Sequence, residues 1–185
     1  MGQYYVPAIL AKNKKTVSTF VYSWDYGNGS KLMEHSWVGN DFVRAFESLI
    51  HKNPQIVVWA GDYAEPCKSR KSNVQDRCRE KGHKKLRQKP QTNLTDSDCR
   101  FVVNHTKKEF VDTSKVKQIT ASWAEGEDYR IHPLPLLTSE GNGQGGGDYH
   151  SNADKNLVGT WARNLISVEP EAPENYKELI VNFNE

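Results

Sequence analysis

Asp41-Phe42-Val43-Arg44-Ala45-Phe46-Glu47-Ser48-Leu49-Ile50-His51-Lys52-Asn53-Pro54-Gln55-Ile56-Val57-Val58-Trp59-Ala60 carries two different periodicities, one after the other. Val38, Phe42, Ala45, Phe46, Leu49 and Ile50 fall on one stripe at helical spacing, with Arg44, Glu47 and Ser48 on the wet side. Asn40 is a candidate cap, Asp41 complements the dipole at the helix start, and Pro54 forbids continuation. This predicts a helix over about 38–52. Gln55 to Ala60 is too short and too rich in β-branched residues for a second helix, and reads as a buried strand. A helix feeding directly into a core strand puts the two in one fold.

Working outward, Tyr4 to Leu10 and Val17 to Trp24 read as a hairpin around the turn Lys12-Asn13-Lys14-Lys15. Arg100 to His105 and Phe110 to Asp112 read as a second hairpin. Ile131 to Leu137 reads as an apolar strand, Val158 to Asn164 as a short helix or turn, and Leu165 to Val168 as another strand. Tyr176 to Phe183 reads as the last strand. Strands outnumber helices and are joined mostly by hairpin-length turns. The expected class is α+β: a mainly antiparallel or mixed sheet of about six to seven strands, one main helix on it, and a long basic loop insertion.

The 185 residues suit a single α+β domain, 1–185. With 36% hydrophobic residues and a mean hydropathy of −0.77, the core must be small and lean on aromatics: five Trp, eight Tyr and six Phe. The net charge of +2 hides an asymmetry. Cys67 to Lys89 holds ten Lys and Arg against two acidic residues, and Leu165 to Glu185 holds five Glu and one Lys. From Cys67 to about Ser97 the only aliphatic residues are Val74, Leu86 and Leu94, so residues 67–98 read as an insertion that adds little to the core. Its bland reading is a solvated, disordered loop. Its functional reading is a phosphate-contacting arm made of Arg70, Lys71, Arg77, Arg79, Lys81, Lys84, Lys85, Arg87 and Lys89. The arm has no aromatic residue and so no stacking platform of its own.

Gly141, Gly143, Gly145, Gly146 and Gly147, closing on Asp148, Tyr149 and His150, form a candidate ligand loop where backbone amides approach closely. Its Gly-x-Gly-x-x-Gly spacing lies outside a strand–helix context, which weakens a phosphate reading. Asp25, Asp62, His105 and Asp148 each follow an apolar strand. If those ends met, carboxylates and imidazole could run acid–base chemistry. Taken singly, an Asp at a strand exit more commonly forms a local turn. No nucleophile elbow, H-E-x-x-H or Walker A sequence is present. Cys67, Cys78 and Cys99 contain no C-x-x-C pair. With His83 and His105 they make an irregular zinc set at best, and reduced thiols are the default. His35 reads as a structural hydrogen-bonder, Trp37, Trp59 and Trp161 as core or groove-wall residues, and Trp24 and Trp123 as partly exposed. No cofactor is expected. No stretch approaches the roughly 20 apolar residues that span a bilayer, and the first residues lack a secretion signal, so the expected location is the cytoplasm.

Several segments form a set: Met1 to Tyr5, Leu32 to Trp37, Val58 to Tyr63, Asn104 to Lys108, His132 to Thr138 and Gly145 to Tyr149. Together they resemble a family of small proteins of Firmicutes, their phages and mobile elements that is linked to type II-A anti-CRISPR proteins. The resemblance spans most of the chain except the basic arm. It implies an anti-defence protein of the bacterial cytoplasm acting by binding, with a Cas9-type nuclease and its guide RNA as partner and no membrane; the contact of the arm with nucleic acid is read from its charge. It carries no catalytic residues over.

Overall fold

The computed structural model describes residues 2–66, 72–120, 128–141 and 155–183. The α+β expectation holds, with a larger sheet than six or seven strands. A mixed nine-stranded sheet is built from β1 (Tyr5–Leu10), β2 (Val17–Val21), β3 (Gln55–Gly61), β4 (Arg87–Gln88), β5 (Phe101–Asn104), β6 (Glu109–Asp112), β9 (Ser139–Glu140), β10 (Asn164–Glu169) and β11 (Lys177–Glu178). Its order is β11-β6-β5-β10-β3-β1-β2-β4, with β9 beside β3. β7 (Gln118–Thr120) and β8 (Asp128–Arg130) form a separate pair. The central pairings of β1, β2, β3, β5, β6 and β10 are antiparallel, whereas β4, β9 and β11 join in parallel. The extra strands are two or three residues long, too short to leave a period in the sequence.

The helix α1 (Asp41–Ile50) is shorter than 38–52, because Asn40 starts it: its side chain accepts from the backbone N–H of Phe42 and Val43. Val38 lies outside the helix and donates its N–H to Arg130 O. Phe42, Val43, Phe46 and Ile50 pack on Val57, Trp59, Ile166 and Val168, on one face of the sheet. The opposite face of β1, β2 and β3 presents Val6, Ala8, Leu10, Phe20, Tyr22, Val58 and Ala60.

That second face corrects the reading of the basic insertion. Residues 74–79 form a helix, α2 (Val74–Arg79), whose Val74 and Cys78, four apart, are buried on this cluster. Asn73 caps it, accepting from Asp76 N–H while the Asp76 carboxylate accepts from Asn73 N–H. The chain then runs through a 3-10 turn, Lys81–Leu86, into β4 alongside β2, and returns on the α1 side, where Leu94 and Cys99 join the main core. Two apolar side chains at helical spacing are enough to seat a turn and a half of helix. Counting apolar residues misses this.

Residues 131–137 are the other correction. Pro133–Leu137 is a helix, α3, and not a strand. His132 caps it through Nδ1, which accepts from Leu134 N–H, and both prolines sit in the first turn, where no N–H is needed. All five residues are buried, so no polar face marks the helical period. Tyr176 to Phe183 contributes only β11 as a strand, although Val181 and Phe183 are buried in the core.

His35 is the structural hydrogen-bonder its context suggests. Its Nδ1 lies 3.0 Å from Gly29 O and its Nε2 accepts from Trp59 Nε1 at 2.9 Å, which fixes the neutral Nδ1–H tautomer. Burial lowers its pKa to about 4. The unfolded chain therefore takes up a proton near pH 6.5 that the folded chain refuses until about pH 4. Stability from this group is complete above pH 6.5 and falls by about 3 kcal/mol as pH drops through that window. Urea midpoints at pH 7, 5.5 and 4 check this: His35→Gln should flatten the decline, and an unchanged decline would remove His35 as its source.

Candidate nucleic-acid interface

The arm is fixed in place at several points, and they sort its basic residues into two groups. Arg77 is 1% exposed. Its Nε donates to Asn73 O at 3.2 Å and its Nη1 to Lys15 O, tying α2 to the β1–β2 turn. Arg77 is a structural residue and leaves the phosphate-contacting set. Arg87 forks onto Asp25, with Nε donating to Oδ2 at 3.0 Å and Nη2 to Oδ1, while its guanidinium lies 5.2 Å from the Tyr22 ring centroid. Its charge is balanced. Arg79, Lys81, Lys84, Lys85 and Lys89 are exposed. Among the described residues the four lysines enter no ion pair. Arg70, Lys71 and Cys67 lie outside the described residues.

β4 pairs with β2 in parallel, Arg87 beside Phe20 and Gln88 beside Val21, so Lys89 follows the strand towards the Ser23–Tyr26 turn. Tyr22 OH donates to Cys78 O at 3.1 Å, which locks this end of β2 under α2. The result is a cationic segment, Lys81 to Lys89, seated between α2 and β2, with Trp24, 51% exposed, on the turn at the end of β2 towards which Lys89 runs.

The strand-end residues do not converge. Asp25 and Asp62 share one end of the sheet, but Asp25 is taken by Arg87, and Asp62 accepts from Tyr4 N–H at 3.0 Å. β5 is staggered. Asn104 is level with Ile166, and Ile166 with Gln55, so His105 stands near the start of β3, roughly 20 Å along the sheet from Asp62. There Tyr176 OH donates to His105 Nδ1 (3.1 Å), Nε2 donates to Ser167 Oγ (2.8 Å), and Ser167 donates to Glu169 (2.7 Å). Burial holds the His105 imidazole below its ordinary pKa. Ser167 at the centre of this chain is fully buried, which closes it to a substrate. Asp148 lies outside the described residues. The composite Asp25–Asp62–His105 cleft is therefore not formed.

Gly141 and Gly61 both stand against the buried Gln3 side chain, where a Cβ on either would collide with its amide. This packing accounts for Gly141 without a ligand. Gly143, Gly145, Gly146, Gly147, Asp148 and Tyr149 lie outside the described residues. The zinc set is also dispersed: Cys78 is buried on the α2 face and Cys99 on the α1 face, with His105 on neither core cluster. Burial pushes both thiols up to about 12. Among the described residues no group of three or more His, Cys, Asp and Glu could hold a metal.

A polar network that sequence patterning assigned to the wet side of α1 is buried instead. Glu47 is 0% exposed and bridges two partners: Oε1 accepts from His132 Nε2 at 2.9 Å, and Oε2 from Arg44 Nη1 at 2.6 Å. Arg44 also donates to Asp96, and Asp96 accepts from Arg130 at 3.3 Å. Residues 90–96, returning from the arm, cover this side of the helix and leave a cavity of about 300 Å³ beside Arg44. An Arg-x-x-Glu pair on a helix is ordinary on a solvated face, and nothing local connects it to His132, 85 residues on, so the sequence carried no signal of this network.

Comparison with protein-family models, with curated proteins and with solved structures finds no match for the chain. Among the described residues no helix is long and apolar enough to cross a membrane.

Proposed function

We propose that the protein acts by binding, as a nucleic-acid-contacting inhibitor of a Cas9-type nuclease with its guide RNA. The observation that supports nucleic-acid contact is the cationic surface. Lys81, Lys84, Lys85 and Lys89 sit exposed on a seated segment, without acidic partners among the described residues. Unpaired cations held on a rigid frame release counterions from a phosphate backbone without first having to be ordered. The choice of a Cas9-type target rests on the resemblance of the six sequence segments. The dispersal of Asp25, Asp62 and His105 weighs against a catalytic role for that set.

The test is plasmid cleavage by several Cas9–guide complexes at increasing protein concentration, at low and moderate salt. Inhibition that saturates near stoichiometric protein and survives moderate salt is expected. Inhibition that disappears with salt would reduce the protein to a nonspecific coat on DNA. No inhibition of any complex would remove the Cas9 class as the target.

A further inference from the structure

The arm lacks aromatics, but the fold supplies one from elsewhere. Trp24 leaves the end of β2 on the 3-10 turn Ser23–Tyr26 and stacks on Tyr22, with ring centroids 3.9 Å apart and planes 19° from parallel. Tyr22 is anchored from three sides. It meets Phe20 edge-on at 5.2 Å, donates its hydroxyl to Cys78 O of α2, and carries the Arg87 guanidinium near its ring. The indole is thus held by a fixed partner on one face while half of its surface, 51%, stays in water. A single exposed ring is ordinary on a protein surface; what sets Trp24 apart is that Tyr22 holds its plane fixed at the end of β2, the strand that β4 of the basic arm pairs with.

We propose that Trp24, backed by Tyr22, is a base-stacking platform that makes the cationic surface a site for single-stranded nucleic acid. This rests on the nucleic-acid contact proposed above. Sequence-tolerant single-strand binding needs a cationic track for the backbone and a flat aromatic for the bases. The Arg87 guanidinium, itself paired with Asp25, lies 5.2 Å from the Tyr22 ring centroid, so the stack stands against the basic segment. Lys89 continues β4 towards it. A duplex keeps its bases stacked internally and offers Trp24 nothing to stack on, so discrimination follows from the ring and affinity from the lysines.

The experiment measures fluorescence anisotropy of labelled 12-nucleotide oligo-dT, an abasic oligomer of the same length and a 12-bp duplex, with the full chain and with Trp24→Ala and Trp24→Phe. The natural chain should bind oligo-dT 5- to 150-fold more tightly than the abasic strand, the range for one stacked base. Trp24→Ala should abolish that preference without changing abasic binding or the salt slope, and Trp24→Phe should restore part of it. Equal binding of oligo-dT and abasic strand by the natural chain would overturn the platform and leave the cationic contact standing. Loss of nuclease inhibition in Trp24→Ala with oligo-dT binding intact would assign Trp24 to a protein contact instead. No binding of any oligomer at low salt would overturn both the platform and the nucleic-acid contact beneath it.

Discussion

Replacing Glu47 with alanine should lower the stability of the fold by about 3–5 kcal/mol, the cost of leaving buried partners of an ion pair uncompensated. Glu47 is fully buried, and both its oxygens are used: His132 Nε2 would lose its acceptor and Arg44 one of its two carboxylates. His132 cannot turn to another partner, because its Nδ1 already caps α3 through Leu134 N–H. Arg44 retains Asp96, which keeps the loss from being larger. Urea unfolding followed by tryptophan fluorescence checks this, with the midpoint read at constant slope. Glu47→Gln should cost less, since it keeps an acceptor for His132. Replacing Arg44, Glu47 and His132 together by apolar residues of similar volume should recover part of the loss, less about 1 kcal/mol for the α3 cap that His132 supplies. A Glu47→Ala cost below about 1 kcal/mol would mean that water reaches the pair.

Neutralising Lys84, Lys85 and Lys89 together to glutamine should weaken binding of a single-stranded oligomer by about 500-fold at 50 mM salt. Each phosphate contact on a single strand contributes about 0.7 to the slope of log affinity against log salt. Losing three should flatten that slope by about 2 and remove two to three decades of affinity at low salt, where counterion release is strongest. All three side chains are exposed, so the fold should be unaffected, with stability within about 0.5 kcal/mol of the natural chain. Anisotropy titrations at several salt concentrations give both numbers. A loss below about tenfold with an unchanged slope would place the phosphate contacts elsewhere on the molecule. Arg77→Gln is the contrasting variant: it should cost stability, because Arg77 ties α2 to Lys15 and is buried.

The framework of the sheet was legible where local period and tertiary burial agree. Phe42, Phe46 and Ile50 repeat at helical spacing because one side of α1 faces the sheet, and Ile56 to Ala60 is a continuous apolar run because β3 is covered on both faces. Legibility failed where covering came from far away in the chain. Arg44 and Glu47 read as solvated because nothing near them shows that residues 90–96 return over that side of the helix. Residues 133–137 read as a strand because a segment apolar all round has no period to betray it. The arm lay between these cases. Its charge is plain, and the signal for α2 is present in Asn73 and Asp76 as a capping pair and in Val74 and Cys78 as an apolar pair, but the polarity of the segment outweighs it in a count of apolar residues.

For the candidate site, charge was readable and geometry was not. Composition singled out the lysines. Only the fold separates Arg77 and Arg87, which are engaged internally, from Lys84, Lys85 and Lys89, which are not. The strand-end residues looked like a set because each follows an apolar run. Register decides whether such residues meet, and the stagger of β5 against β3 keeps His105 from Asp62.

The position of β4 on β2 has a consequence for the behaviour of the protein in concentrated solution. Without those two residues, β2 would present a bare ladder of N–H and C=O groups, and such an edge recruits the strands of other molecules. The arm closes this edge with a strand only two residues long, ringed by lysines that repel a like neighbour. The same charges are thus a guard against self-association. A chain shortened by the whole arm would lose that guard together with the lysines proposed to contact phosphate, and should aggregate more readily.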